Sequence, residues 1–391
     1  VYEDAKTFFA SSREPYDLIV SEPSNPWVSG VATLFSDEFY GRITHYLTPD
    51  GYFVQWMQVY ETNLSVLASV IKALAPHFGA YVLYNVDDLD VLIIATRAPS
   101  LGEPDERLLQ SPQLRAELAR IGVSSVADFR SRKIGDNRTI GPVLESVAVP
   151  ANSDFFPFVD LNAPRLRYLR TNAMELPALT VLPIPFLELI DGAAPRSATA
   201  PLGATLPPSA NSGVVRDRLV QRALDIRRAL LSGSADDLDP ATARYLWLVG
   251  TAADLCATAP ARTEWQDAVG KISDDTAAYL NPAELEAVWH QVQASPCYRE
   301  AAGTNKAWVD LWAAIARRDS PAIVGLGTSL LAPPSADSDS ELAYLTTVTA
   351  AADVRMGEPA RAQTLLRAQW GRFDHTGQFD FALRELNALT R

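Results

Sequence analysis

The sequence predicts an α/β sheet domain over residues 1–191, a linker at 192–213 and an all-α domain over 214–391. Three observations carry this. Residues 1–100 alternate short apolar runs with amphipathic segments, a β-α-β-α-β-β succession. The stretch "GAAPRSATAPLGATLPPSANSG" (192–213) has the Pro, Ala and Ser content of a linker. Beyond it strand signals almost vanish, and Ala, Leu and Arg recur at helical spacing.

The first strand is "YDLIVSE" (16–22), an apolar run of the kind buried in a parallel sheet. "SDEFYGRITHYLTPDG" (36–51) opens with Ser36 and two acids, a helix start, and closes on a Pro-Asp-Gly stop. "GYFVQWMQVY" (51–60) is the next strand. "TNLSVLASVIKALAPHF" (62–78) is an amphipathic helix capped by Thr62 or Asn63. "AYVLYNV" and "DVLIIATR" flank Asp87-Asp88-Leu89 as a hairpin or two adjacent strands. The set predicts one half of an open, doubly wound sheet whose last strands are antiparallel.

One or two helices are expected in "DERLLQSPQLRAELARIG", followed by a polar-aromatic loop at 150–168. In the second domain "LWAAIARRDSPAIVGLGTSLL" (311–331) and "TAAADVRMGEPARAQTLLRAQW" (349–370) look alike. Each is a helix, a short turn and a second helix that begins at proline, Pro321 or Pro359, where the missing N–H costs nothing. The pattern fits tetratricopeptide-like pairs, with an irregular helical bundle as the alternative.

The chain has 391 residues and a formal net charge of −13, which disfavours non-specific nucleic-acid binding and docking on anionic lipid. Its two cysteines, Cys256 and Cys297, are far apart. That spacing argues against a disulfide framework or a zinc site and for a reducing, cytoplasmic setting. The four histidines show no metal-ligand spacing, so no metal is expected. No apolar run reaches the roughly 18–20 residues of a membrane span. The sequence opens mid-pattern on Val1 without a signal peptide, and the motifs below favour a piece of a longer protein.

In an open α/β sheet, ligands bind beyond the carboxyl ends of the strands. Glu22 ends the first strand there, followed by a turn stiffened by Pro23 and Pro26 with Asn25 between them. A carboxylate in that crevice accepts a proton or holds a cationic amine, although a solvated strand end reads equally simply. Asp4 stands ahead of a short helix, where it caps the helix or reads an adenine amino group. Gln58 and Glu61 lie near the end of the next strand, with Gln55 as a competitor. Asp154 sits among Phe155, Phe156 and Phe158, either an alkylammonium site or an aromatic-anchored loop. No glycine-rich nucleoside loop and no Ser/His/Asp arrangement is present.

The stretch "EDAKTFF…EPYDLIVSEPSNPWVSGVATLFSDEFYGRITHYLTPDGYFVQW" resembles the carboxyl-terminal half of the spermidine synthase (polyamine aminopropyltransferase) catalytic domain. It is most similar to bacterial spermidine synthase-like proteins, often fused to membrane segments. The resemblance covers roughly residues 1–190 and is most specific in 1–60. It implies a methyltransferase-like Rossmann sheet whose amino-terminal strands and nucleoside loop are missing here. It also implies a parent protein associated with the inner membrane.

The implied reaction moves an aminopropyl group from decarboxylated S-adenosylmethionine, a co-substrate, to an amine in polyamine biosynthesis, without a bound cofactor. By position, Asp4 matches the aspartate that reads adenine, Glu22 the catalytic aspartate, and Asn25 the second aspartate of the family turn. Gln58 matches the glutamine after the following strand, a role for which Gln55 competes. Glu22, Asn25 and Trp27 depart from the family pattern, which leaves the acceptor open. This piece is expected to be inactive by itself and to bind S-adenosyl ligands poorly. The alternatives are an S-adenosylmethionine-dependent methyltransferase, or a non-catalytic scaffold whose helical tail binds a protein partner.

Overall fold

The computed structural model describes residues 7–9, 14–28, 30–121, 123–192, 215–235, 238–251, 256, 258–332 and 338–391. The chain divides into two compact units. The first comprises Val1–Asp105 and Arg132–Thr180, the second Glu106–Ser131 and Val181–Arg391.

Among the described residues the first unit holds five strands: β1 (Tyr16–Ser21), β2 (Leu47–Gln58), β3 (Ala80–Asn85), β4 (Asp90–Thr96) and β5 (Lys133–Asp136). Its helices are α1 (Asp37–Ile43), α2 (Leu64–Leu74), α3 (Gly141–Ser146), α4 (Phe158–Leu169) and α5 (Glu175–Leu179). The strand order is β1-β2-β4-β3-β5. β1 and β2 are parallel, and β4 runs antiparallel between β2 and β3. The expected mixed sheet is therefore present, and its later strands are antiparallel. β5, antiparallel to β3, was not anticipated, because four residues containing Gly135 carry little periodicity.

Both predicted helix starts hold. Ser36 Oγ accepts from the Phe39 N–H, and Asn63, rather than Thr62, caps α2 by accepting from the Val66 N–H. The Pro-Asp-Gly stop is displaced. α1 ends at Ile43, and β2 starts at Leu47. The register jumps from Tyr16–Leu47 to Leu18–Tyr52, so Pro49 and Asp50 fall in an irregularity that absorbs the proline.

Strand alternation divides the sheet. Ile19, Phe53 and Met57 are buried, and Phe53 meets Phe39, Tyr40 and Phe78, so this face carries the α1–α2 core. On the opposite face Leu18 and Val20 of β1 are exposed.

The second unit is helical. Val220, Ile226, Trp265, Ile272, Leu285, Trp289 and Val309 belong to one buried cluster. Pro321 and Pro359 stand in the first turns of Ser320–Leu331 and Pro359–Gln369. The turns before them are closed alike. Asp319 N–H bonds Ala314 O and Arg318 N–H bonds Ile315 O; Glu358 N–H bonds Asp353 O and Gly357 N–H bonds Val354 O. Arg318 and Gly357 both take positive φ, as such helix ends require.

Residues 181–192, expected with the first domain, fall in this second unit. Tyr279 Oη donates to Val181 O, and Arg318 pairs with Glu188. Residues 106–131 fall there too. The linker at 193–213 lies outside the described residues.

One expectation is corrected outright. Cys256 and Cys297 form a disulfide with a Cα–Cα distance of 5.1 Å. Helix packing brings together residues that their spacing set apart, so cysteine spacing no longer argues for a reducing compartment. Among the described residues no helix is long and apolar enough to cross a membrane.

Candidate functional site

The parallel pair β1–β2 fixes one edge of the first unit. Ser21 pairs with Gln55, so Glu22 and the end of β2 emerge on the same side of the sheet. Glu22 is exposed, while Pro23 and Pro26 on either side of the turn are buried. Val28 N–H bonds Asn25 O at 2.9 Å, closing a turn with Pro26 at its second position. Gly30 then takes φ +83°, a conformation that suits glycine, and leads into the next helical turn.

Asn25 Nδ2 donates to Tyr60 Oη at 2.9 Å, which ties the loop after β1 to the residues after β2. The Trp27 ring meets Tyr60 edge-on, with centroids 6.3 Å apart. The Arg167 guanidinium, from α4, lies 5.1 Å from the Trp27 ring centroid. Arg167 Nε is also 3.8 Å from Glu61 Oε2. Glu61 is held at φ +51°, and its N–H donates to Asn172 Oδ1 at 2.9 Å. Ala173 N–H bonds Val59 O, so the chain after α4 is pinned along the end of β2.

The two glutamines separate. Gln55 Nε2 donates to Leu34 O at 2.9 Å, and Gln55 Oε1 accepts from Tyr40 Oη. It is a satisfied core amide. Gln58 is fully buried, yet neither its Oε1 nor its Nε2 has a partner. A buried amide in that state is costly unless something binds it. Thr62 Oγ1, Asp90 Oδ1 and Glu175 Oε2 are also buried without partners.

Asp90 sits opposite Gln58 on β4. Burial pushes its carboxyl up to about 6, helped by the neighbouring Asp87 and opposed by a hydrogen bond from Trp56.

Of the expected site residues, the structure joins Asn25 to the end of β2, and Glu22 and Gln58 flank that contact in sequence. Asp154 lies in the loop before α4. Its backbone N–H donates to Glu38 Oε2 at 2.8 Å, so its loop is anchored on α1. Phe155 is 93% exposed and Phe156 also faces solvent, so these rings do not enclose a cation in this arrangement. Asp4 lies outside the described residues. Tyr60, Arg167 and Asp90 were not anticipated. Tyr60 closed an apolar run, and Arg167 lay in "RLRY" more than a hundred residues from its partners. Only the fold brings them together.

No protein-family model matches this chain, and no curated protein matches it.

Proposed function

We propose that these residues form the amine-binding half of a spermidine synthase-like aminopropyltransferase. The observation that carries this reading is the edge itself. Two parallel strands run to the same edge: β1 is followed by an exposed carboxylate, Glu22, and β2 continues past that level to a buried amide with no partner, Gln58. A carboxylate able to take a proton, at the same sheet edge as polar groups without partners, suits amine alkylation.

In this reading the acceptor enters as an ammonium and gives a proton to Glu22. Its neutral nitrogen attacks the propyl carbon next to the sulfonium of decarboxylated S-adenosylmethionine. The carbon–sulfur bond breaks with its electron pair going to sulfur, which leaves as methylthioadenosine. Gln58 and Tyr60 orient the acceptor, and Asp4 reads the adenine. Among the described residues β1 is the outermost strand of the sheet, and its open backbone edge supports a sheet that continues past it. The nucleoside loop belongs to that continuation.

The repeated turn geometry of the helical unit supports tetratricopeptide-like pairs that take a protein partner. The reading is tested in a protein that carries these residues together with a glycine-rich nucleoside loop. Methylthioadenosine release from decarboxylated S-adenosylmethionine should fall at least about 100-fold in Glu22→Gln. Unchanged turnover sinks the role of Glu22. Turnover with ordinary S-adenosylmethionine alone would assign a methyltransferase instead.

A further inference from the structure

We propose that Arg167 occupies the seat of a second ammonium group, so that the acceptor amine carries a single positive charge. The inference rests on the amine-transfer reading and concerns which amines the site takes.

The face of Trp27 is the natural cation platform at the mouth of the site, since an indole face attracts positive charge more strongly than any other side-chain ring. The Arg167 guanidinium already covers it, at 5.1 Å from the ring centroid. Glu61 is a carboxylate that follows β2 at the same edge, and Arg167 Nε stands 3.8 Å from its Oε2. Asn25 offers a neutral amide, and its Nδ2 is engaged by Tyr60. Glu61 is thus engaged by Arg167, while Glu22 after β1 is exposed. A diamine brings two ammonium groups, and its second meets a resident guanidinium at short range.

The arrangement is built rather than incidental. Arg167 belongs to α4, and the chain beyond that helix is fastened to the end of β2 by the Ala173–Val59 and Glu61–Asn172 bonds. Trp27 is set by the Asn25–Val28 turn.

The test is calorimetric titration of the 391-residue chain with 1-butylamine and with 1,4-diaminobutane, which differ in one charged end. No sulfonium donor is present, so binding is read apart from transfer. The unaltered chain should bind butylamine at least as tightly as diaminobutane. Arg167→Ala should tighten diaminobutane about tenfold while moving butylamine much less. Arg167→Lys, which keeps the charge, should restore the original ratio, an outcome that a merely structural role does not produce. Urea midpoints check that each variant folds.

Preference of the unaltered chain for the diamine, or an unchanged ratio in Arg167→Ala, overturns the proposal. Failure of both proteins to bind either amine overturns it together with the amine reading. The expected ratios without any transfer in the loop-bearing protein would sink the transferase reading and leave the charge selection standing.

Discussion

Asn25 Nδ2 donates to Tyr60 Oη at 2.9 Å, and this one hydrogen bond links the ends of two parallel strands. The donor is an amide where the resemblance has a carboxylate. Asn25→Asp should keep the link with its direction reversed, because the Tyr60 hydroxyl can donate to a carboxylate. It should also add the negative charge that a diamine wants. Asn25→Ala should lose the link and about 0.5–1.5 kcal/mol of stability. Urea denaturation and amine titration on the two variants check both. Equal loss of stability in the two variants would show that the hydrogen bond does not hold the loop.

The glutamines of β2 should respond in opposite senses to the same substitution. Gln58→Met removes two buried, unpartnered polar atoms and should stabilise the first unit by about 1–3 kcal/mol while weakening amine binding. Gln55→Met strands the Tyr40 hydroxyl and the Leu34 carbonyl and should destabilise by a similar amount. Thermal melts of both proteins give the comparison. A destabilised Gln58→Met would mean that its amide is satisfied in solution and is not reserved for a ligand.

The contrast shows what was legible in the sequence. Local chemistry was readable. The Ser36 and Asn63 caps, the apolar run of β1 and the first-turn prolines Pro321 and Pro359 all act within four residues of themselves. The position of Glu22 directly after β1 was readable, because the apolar run stops there. Arg167 on Trp27 was not, since a residue on α4 reaches the first loop only through the packing of α4 and the chain after it. The start of β2 was misplaced because Pro-Asp-Gly signals a turn wherever it occurs, and a strand irregularity satisfies it as well as a helix stop does. The phenylalanines beside Asp154 read from composition either as an alkylammonium site or as anchors of the loop, and only burial shows that Phe155 faces solvent.

The disulfide Cys256–Cys297 closes a sequence separation of 41 residues. Holding those ends together restricts the unfolded chain, an effect of about 2–4 kcal/mol for a loop of that order. Cys297→Ser should therefore lower the urea midpoint of the helical unit, and reductant should lower that of the unaltered chain to match. A midpoint insensitive to both changes would mean that the two thiols are not joined in solution.

Asp90 gives a pH signature that belongs to the candidate site. Its carboxyl is raised from the ordinary 3.8 to about 6, first by burial and then by Asp87. A carboxyl raised in the fold favours the folded state when protonated. Its contribution is therefore fully present below about pH 4 and is lost as the pH climbs through about 6, where the unfolded chain ionises more readily than the folded one. The shift corresponds to about 3 kcal/mol if water is fully excluded, and solvent reaching this partly exposed group cuts it to about 1 kcal/mol. Asp90→Asn should accordingly stabilise the first unit by about 1 kcal/mol at pH 7.5 and by nothing measurable at pH 4. Urea titrations of the two proteins at both values read the difference directly. A gain that is the same at pH 4 and pH 7.5 would trace it to packing rather than to the cost of a buried charge, and would remove Asp90 as a group tuned beside Gln58.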